Sequence, residues 1–395
     1  MPCSGSNTRL LQLARHLKPE LHPQRCIASD SEKAEVLPGV LRTPEEDFNA
    51  IRTEFPYLPK YALVGGGLRI AYIDEGPANA SVTFFLLHGE PTYSYLFRKV
   101  IPPLIAAGHR VIVPDLVGFG RSDKVADPMR YTFVNHLSWL EDFVCHGLDL
   151  RGLTFFGHEW GAILGLSLMV KHVDRFHRAA IGNTHLIIPG NRPPWDLLFP
   201  GDSIEAESGQ DVFLARRVFS PLEVMPEDEF LRPIAGQLPS STPSDSLHLE
   251  LETVPEPLFY DTADFEAGQV VHDLSLYGIS EQSRNAYNVP FPTKNYKAGM
   301  RRFPMIVPRT PDDECIAILR STRQKLSEFK KPFLTAFAPA DPLLNWADRF
   351  WQNFVPGAAN VSHVRIAHSG HFIQEDQGEE LGAVLNDFVA RTSRV

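Results

Sequence analysis

Short apolar segments alternate with longer segments of helical pattern along this chain, and this alternation constrains the fold more than any other feature. A short apolar run between helical stretches is typical of a strand that is buried on both faces of a parallel sheet. Two runs on either side of three glycines at 65–67 predict a hairpin before the alternation begins. We therefore expect an α/β fold with a mostly parallel sheet flanked by helices. The first block contains predicted strands 61–64, 68–72, 82–87, 111–113, 153–156 and 179–181, and predicted helices 95–107, 133–148 and 162–171.

The alternation stops after residue 181 and resumes near residue 331. The intervening stretch is rich in Pro, Ser and acidic residues, and its predicted helices are 212–218 and 314–329. A mainly helical insertion late in an α/β sheet usually forms a lid over the active site. The second block contains predicted strands 333–337 and 361–367 and predicted helices 346–354 and 379–389. We expect an N-terminal extension (1–40), a core in two parts (41–182 and 331–395) and an inserted cap domain (183–330).

The stretch 153–161, LTFFGHEWG, carries the strongest indication of chemistry. It consists of a predicted strand, a Gly-X-X-X-Gly turn and the start of a helix, which is the pattern of a nucleophile elbow. Glu159 occupies the apex of the turn, where esterases and lipases have Ser. A carboxylate in this position can attack a carbon that bears a leaving group and form a covalent ester. The helix that follows supplies backbone N–H groups for developing negative charge.

Three further segments complete a predicted catalytic site. The segment His88-Gly89-Glu90-Pro91 follows a predicted strand, where α/β-hydrolases place the second oxyanion donor, so the backbone N–H groups of Glu90 and Trp160 are the expected oxyanion hole. Asp341 follows the predicted strand 333–337, and His371 follows 361–367. The order Glu159, Asp341, His371 is the chain order of the α/β-hydrolase triad. We expect His371 to act as the base and Asp341 to orient it, with His368 as the competing histidine.

Composition excludes several other classes of function. Lys and Arg number 38 against 48 Asp and Glu, and the net charge of −10 argues against nucleic acid or an anionic membrane surface as the main partner. No apolar stretch reaches the roughly eighteen residues of a membrane-spanning helix. The four cysteines show neither metal-ligand spacing nor a disulfide framework, which fits a reducing compartment. A cytoplasmic location is expected; the alternative is mitochondrial targeting by the amphipathic segment near 10–18.

With these segments in view, the chain resembles the haloalkane dehalogenases of the α/β-hydrolase superfamily, in particular the branch whose catalytic acid comes late in the sequence. The resemblance runs from about residue 40 to residue 389. It implies an α/β-hydrolase fold with an inserted cap and a small-molecule substrate. The matching segments are 40–44 (VLRTP), 88–96 (HGEPTYSYL), 114–115 (PD), 118–123 (GFGRSD), 159–161 (EWG), 286–292 (AYNVPFP), 296–299 (YKAG) and 370–375 (GHFIQE).

The resemblance also implies a mechanism and a halide site. In this family an elbow Asp displaces halide from carbon, and the histidine base then activates a water that hydrolyses the ester. No cofactor and no metal is needed. The halide is held by the indole N–H of the Trp after the nucleophile, here Trp160, and by a second Trp from the cap.

The sequence departs from the family at two of these positions. The nucleophilic Asp is replaced by Glu159, whose extra methylene moves the carboxylate by about one C–C bond, and in-line attack tolerates little misplacement. The position of the second halide-binding Trp falls on Arg216, which can hold an anion or can pair with a cap acid and face outward. Trp195 is a further candidate for that role or is a packed aromatic. Weak carbon–halogen cleavage or a shifted substrate is therefore expected.

Two other functions compete with this one. An epoxide hydrolase shares the covalent carboxylate mechanism, and Tyr260, Tyr277 and Tyr287 are candidates for the cap tyrosines it needs. A catalytically silent ligand-binding homologue could have kept the fold after Glu replaced Asp. We expect a monomer or a small homo-oligomer in each case.

Overall fold

The computed structural model describes residues 36–186, 188, 265–308 and 312–392. Several predictions fall outside these residues: the helix at 212–218, most of the N-terminal extension 1–40, and the central part of the cap 183–330. The candidate residues Trp195, Arg216 and Tyr260 lie outside them too.

The described part of the chain contains a central sheet of eight strands. They are β2 (Lys60–Val64), β3 (Leu68–Glu75), β4 (Thr83–Leu87), β5 (Arg110–Pro114), β7 (Leu153–His158), β8 (Phe176–Gly182), β9 (Phe333–Phe337) and β10 (Val364–Arg365). Their order in the sheet is β10-β9-β8-β7-β4-β5-β3-β2. The strands from β10 to β5 are parallel, whereas β3 pairs antiparallel with both β5 and β2. The expected mostly parallel sheet and its hairpin are confirmed. A separate antiparallel pair is formed by β1 (Val40–Leu41) and β6 (Lys124–Val125).

Helices flank the sheet, as expected for buried parallel strands. Helix α3 (Trp160–Lys171) lies on β7 and packs against α2 (Phe133–Glu141) and α7 (Ile316–Leu326), whereas α1 (Ile101–Ala106) packs against α10 (Gly378–Thr392). Helix α3 is buried over almost its whole length, so it forms the inner layer next to the central strands. The α-helices are α1 (Ile101–Ala106), α2 (Phe133–Glu141), α3 (Trp160–Lys171), α4 (Ala267–Leu274), α5 (Glu281–Asn288), α6 (Ala298–Arg302), α7 (Ile316–Leu326), α8 (Ala347–Phe354), α9 (Ile373–Asp376) and α10 (Gly378–Thr392).

Three predicted elements differ from the structure. The predicted helix 95–107 is a 3₁₀ turn (Ser94–Phe97) followed by α1, because consecutive prolines occupy the first turn of α1, the helical position where Pro is best tolerated. The predicted helix 133–148 continues from α2 into a π-helical turn (Asp142–Gly147). The predicted strand 361–367 shrinks to β10. There the side chain of His363, one residue before β10, accepts the backbone N–H of Thr335 at 3.1 Å.

A glycine sets how closely α3 approaches the sheet. A Cβ added at Gly161 would lie 2.4 Å from the carbonyl oxygens of Leu87 and His88, so only glycine fits at this crossing. The first turn of α3 therefore lies directly against the end of β4. This contact brings the segment 88–91 beside the turn between β7 and α3.

Candidate active site

Glu159 joins β7 to α3 in a backbone conformation that few residues other than glycine adopt. Its φ is 51° and its ψ is −123°, between a strand that ends at His158 and a helix that begins at Trp160. A non-glycine residue at positive φ costs free energy, and such residues concentrate at functional sites. The tight turn places the Glu159 side chain at the carboxyl edge of the sheet, as the elbow pattern predicts.

The carboxylate of Glu159 lies in the expected oxyanion hole. Its Oε2 accepts hydrogen bonds from the backbone N–H of Trp160 at 2.5 Å and from that of Glu90 at 3.0 Å. Gly89 leaves the necessary space, since a Cβ there would lie 2.6 Å from Oε2 and 2.7 Å from Cβ of Glu159. Both of these bonds go to Oε2, so Oε1 is the oxygen available for attack.

Burial shifts the protonation equilibrium of this carboxyl. Burial raises the pKa of Glu159 to about 7, against the lowering effects of the two backbone N–H groups and of His371. Near neutral pH the side chain is therefore divided between its acid and carboxylate forms. A partly desolvated carboxylate is a stronger nucleophile than a fully hydrated one, which suits attack on carbon.

The predicted base and acid are in direct contact. The Nδ1 of His371 lies 3.1 Å from Oδ2 of Asp341, and both side chains are buried. The other carboxylate oxygen of Asp341 accepts the backbone N–H of Leu343 at 2.8 Å. Burial opposes a charge on His371, but Asp341 and the nearby Glu159 outweigh it and raise the pKa of His371 above its usual value. The competing His368 is exposed and bonds the hydroxyl of Tyr277 instead.

Two residues that the sequence analysis does not single out hold the main chain of this base. Nδ2 of Asn183 donates to the carbonyls of His371 (2.9 Å) and Gly370 (3.2 Å), and its Oδ1 accepts the N–H of Ala338 (2.9 Å). His158 lies with Nε2 2.7 Å from the same His371 carbonyl. The feature of the sequence that could have indicated Asn183 is its position directly after β8, at the sheet edge where the other site residues lie.

Two residues of the site are more accessible to solvent than their neighbours along the chain. In the stretch 84–98 every residue except Glu90 is buried, and in 153–170 every residue except Glu159 is buried. The two glutamates are therefore the partly accessible residues where these two segments meet. The indole ring of Trp160 packs near the rings of Phe303 (5.4 Å between centroids) and Phe133 (6.5 Å). Of the residues described, none accepts a hydrogen bond from the indole N–H of Trp160.

The two candidate tyrosines of the epoxide hydrolase hypothesis that the structure describes, Tyr277 and Tyr287, are bonded to other residues. Tyr277 is 70% exposed and bonds His368, and the fully buried Tyr287 donates its hydroxyl to Glu375. No described helix is long and apolar enough to cross a membrane. Within the described ranges, no three His, Cys, Asp or Glu side chains are grouped so that they could hold a metal ion.

Comparisons with known proteins identify the fold and the family. A family model described as the alpha/beta hydrolase fold matches residues 82–202. A haloalkane dehalogenase of Psychrobacter cryohalolentis is 36% identical over 354 residues, covering 89% of this chain and 98% of the relative. A haloalkane dehalogenase of Mycobacterium marinum is 35% identical over 346 residues, covering 87% and 97%.

A solved structure is similar as well. The tetrameric haloalkane dehalogenase of Paraglaciecola agarilytica superposes with a TM-score of 0.64 at 30% identity, covering 90% of this chain and 99% of that one. The chain therefore belongs to the haloalkane dehalogenases, hydrolases of the α/β-hydrolase fold that act on carbon–halide bonds.

Proposed function

We propose that this protein cleaves carbon–halogen bonds by covalent catalysis with Glu159 as the nucleophile. The observation that carries the proposal is the placement of the Glu159 carboxylate, with Oε2 in the oxyanion hole and Oε1 without these bonds. In the first step Oε1 attacks the carbon, the carbon–halogen bond breaks, and halide leaves with the bonding electrons. Oε2 becomes the carbonyl oxygen of the ester and keeps both backbone donors.

The second step hydrolyses the ester. His371 removes a proton from a water, which attacks the carbonyl carbon, and negative charge develops on Oε2 where the N–H groups of Glu90 and Trp160 stabilise it. Asp341 stabilises the imidazolium of His371 through the contact at Nδ1. Collapse of the intermediate releases the alcohol, which takes the proton from His371. No step requires a metal or a cofactor.

We propose that the leaving halide is held by the indole N–H of Trp160. Arg216 and Trp195 remain the candidates for a second donor from the proposed cap domain at 183–330. The substrate is then a small haloalkane. The tetrameric relative favours a small homo-oligomer over a monomer for this chain.

A catalytically silent homologue is the competing proposal, because Glu replaces the family's Asp. Against it stand the occupied oxyanion hole and the contact between His371 and Asp341, which a protein that only binds ligands does not need.

Halide release from a panel of bromo- and iodoalkanes tests the proposal. Wild type is compared with Glu159→Gln, His371→Phe and, as a matched control, Glu328→Gln, which changes an exposed glutamate. We expect steady halide release by wild type and the control, a loss of about 10⁴-fold or more in Glu159→Gln, and at most one equivalent of halide from His371→Phe. Unchanged turnover in Glu159→Gln, or no release by wild type, would overturn the proposal.

A further inference from the structure

A second carboxyl group lies beside the nucleophile and has no role in the mechanism above. The backbone N–H of Glu90 donates to Glu159, but the Oε1 of its side chain is buried without a hydrogen-bond partner among the residues described. Glu90 is nevertheless partly accessible, as is Glu159, to which its backbone N–H is hydrogen-bonded. A buried polar atom without a partner is uncommon in native proteins and often belongs to a functional group.

The surroundings of Glu90 favour the neutral form of its carboxyl group. Burial and the negative charge of Glu159 raise the pKa of Glu90 well above its usual value, and no cation among the described residues contributes to the shift. Two adjacent carboxyls seldom ionise together, so one proton is retained when the other group is charged. With Glu159 ionised as nucleophile, Glu90 carries that proton and is a hydrogen-bond donor.

A proton donor matters for one class of leaving group more than for another. Halide leaves as a weak base and needs no proton. An oxygen leaving group departs as a strongly basic alkoxide unless an acid protonates it, and general acids accelerate such steps by about 10²- to 10⁴-fold. The pairing of a carboxylate nucleophile with a neutral carboxylic acid therefore suits substrates whose leaving atom is oxygen.

We propose that the same site also opens epoxides, with Glu90 as the general acid. This inference rests on the proposed role of Glu159. Oε1 of Glu159 attacks a ring carbon, the carbon–oxygen bond breaks, and the oxygen takes the proton of the Glu90 carboxyl to give a hydroxyalkyl ester on Glu159. Water activated by His371 then hydrolyses the ester to a diol. One proton of the water passes through His371 to the released hydroxyl, and the other, left on the Glu159 carboxyl, returns to Glu90.

The acid thus lies on the core and not on the cap. The backbone N–H of Glu90 donates to Oε2 of Glu159, so the Glu90 side chain branches from a residue that is itself hydrogen-bonded to the nucleophile. Tyr277 and Tyr287, by contrast, are committed to His368 and Glu375.

The test compares two substrates in variants of one residue. Diol formation from 1,2-epoxybutane and halide release from 1-bromobutane are measured for wild type, Glu90→Gln and Glu90→Asp, with thermal unfolding as a check of folding. All three proteins keep the backbone N–H of the oxyanion hole. We expect wild type to form diol, and the ratio of diol formation to halide release to fall at least tenfold in Glu90→Gln and to recover in Glu90→Asp, which retains an acid.

Trapping in a His371→Phe background isolates the first step. The rate of ester formation on Glu159 from the epoxide should fall at least tenfold more than the rate from the bromoalkane when Glu90→Gln is added. Halide release without diol formation by wild type, or an equal ratio in wild type and Glu90→Gln, overturns this inference alone. Diol formation that depends on Glu90 without halide release would support it and overturn the proposed dehalogenation. The absence of both products overturns both.

Discussion

At the scale of single residues, Glu159 combines a strained backbone with a carboxyl whose pKa burial raises to about 7. The positive φ at the elbow and the burial that raises the pKa of Glu159 to about 7 both destabilise the folded chain. The first places the carboxyl at the carboxyl edge of the sheet, and the second leaves it incompletely hydrated. Free energy is commonly lost at an active site in this way and made up by packing elsewhere. The fully buried residues of β4, β7 and α3 surround the elbow and supply that packing.

The first prediction concerns the pH dependence of stability. A carboxyl whose pKa is raised on folding binds more protons in the folded state, so the free energy of unfolding falls as pH rises from 4.5 to about 7. Below pH 4.5 the burial of Glu159 does not lower the free energy of unfolding, and above about pH 7 it lowers it by the full amount of about 3 kcal/mol. Glu159→Gln, which never ionises, should unfold at higher denaturant concentration than wild type at pH 8 and at nearly the same concentration at pH 4.5.

Chemical denaturation at both pH values, with Glu328→Gln as the control, measures this difference. A gap between Glu159→Gln and wild type that stays constant from pH 4.5 to pH 8 would show that the burial of Glu159 does not shift its protonation.

The second prediction concerns the length of the nucleophile. The additional methylene of Glu moves the attacking oxygen by about one C–C bond relative to the Asp that the family uses, and a misplacement of about 1 Å can cost about 100-fold. Glu159→Asp should therefore raise kcat/KM for short bromoalkanes by at least tenfold, as measured by halide release. A lower rate in Glu159→Asp would mean that the rest of the site is adapted to Glu or to another substrate.

At the scale of elements, the ends of three parallel strands are joined by one side chain. Asn183 follows β8 and bonds the main chain after β9 and the main chain at His371, while its neighbour Thr184 donates to the carbonyl of Glu159 at 2.9 Å. The acid, the base and the nucleophile lie on separate segments, so their relative positions depend on this connection. Asn183 is a positioning residue because its contacts are to backbone groups and not to reacting atoms.

The third prediction follows from these bonds. Asn183→Ala leaves the carbonyl of Gly370 and the N–H of Ala338 buried without these partners, at a cost of about 1–3 kcal/mol for each group. We expect a loss of about 2–5 kcal/mol in unfolding free energy and a slower hydrolysis step, so that the alkyl-enzyme accumulates during turnover. Urea denaturation and rapid-quench mass analysis measure the two effects. Asn295→Ala, at an exposed position, is the control; equal accumulation in both variants would argue against the positioning role.

At the scale of the whole molecule, hydrogen bonds around a buried ion pair of the core connect it to the residues expected to form the cap. Arg98, after β4, pairs with Glu375 beyond β10, and the hydroxyl of Tyr287 on α5 donates to the same carboxylate. Tyr93 also donates to the carbonyl of Ala286 at 2.9 Å. These bonds fix α5 against the loop that contains Glu90. One hydrogen-bond network therefore holds both the loop that contains Glu90 and the segment that contains His371 and Glu375.

The sequence predicted the fold and the order of the triad because both depend on patterns along the chain: apolar runs mark the parallel strands, and Glu159, Asp341 and His371 each follow one. The roles of Asn183 and His158 could not be predicted in this way, because a bond from a side chain to a distant carbonyl leaves no pattern in the sequence. The accessibility of Glu90 was missed for a similar reason. A Glu after a strand looks the same whether it faces solvent or a nucleophile.

The most direct test of covalent catalysis by Glu159 is to locate the bond that it forms. His371→Phe is mixed with 1-bromobutane, and intact mass is followed by peptide mapping of the modified residue. We expect one butyl group per chain, on Glu159, formed together with one equivalent of halide and absent from the Glu159→Gln/His371→Phe double variant. Butylation of Glu90 instead, or halide release without any adduct, would contradict it.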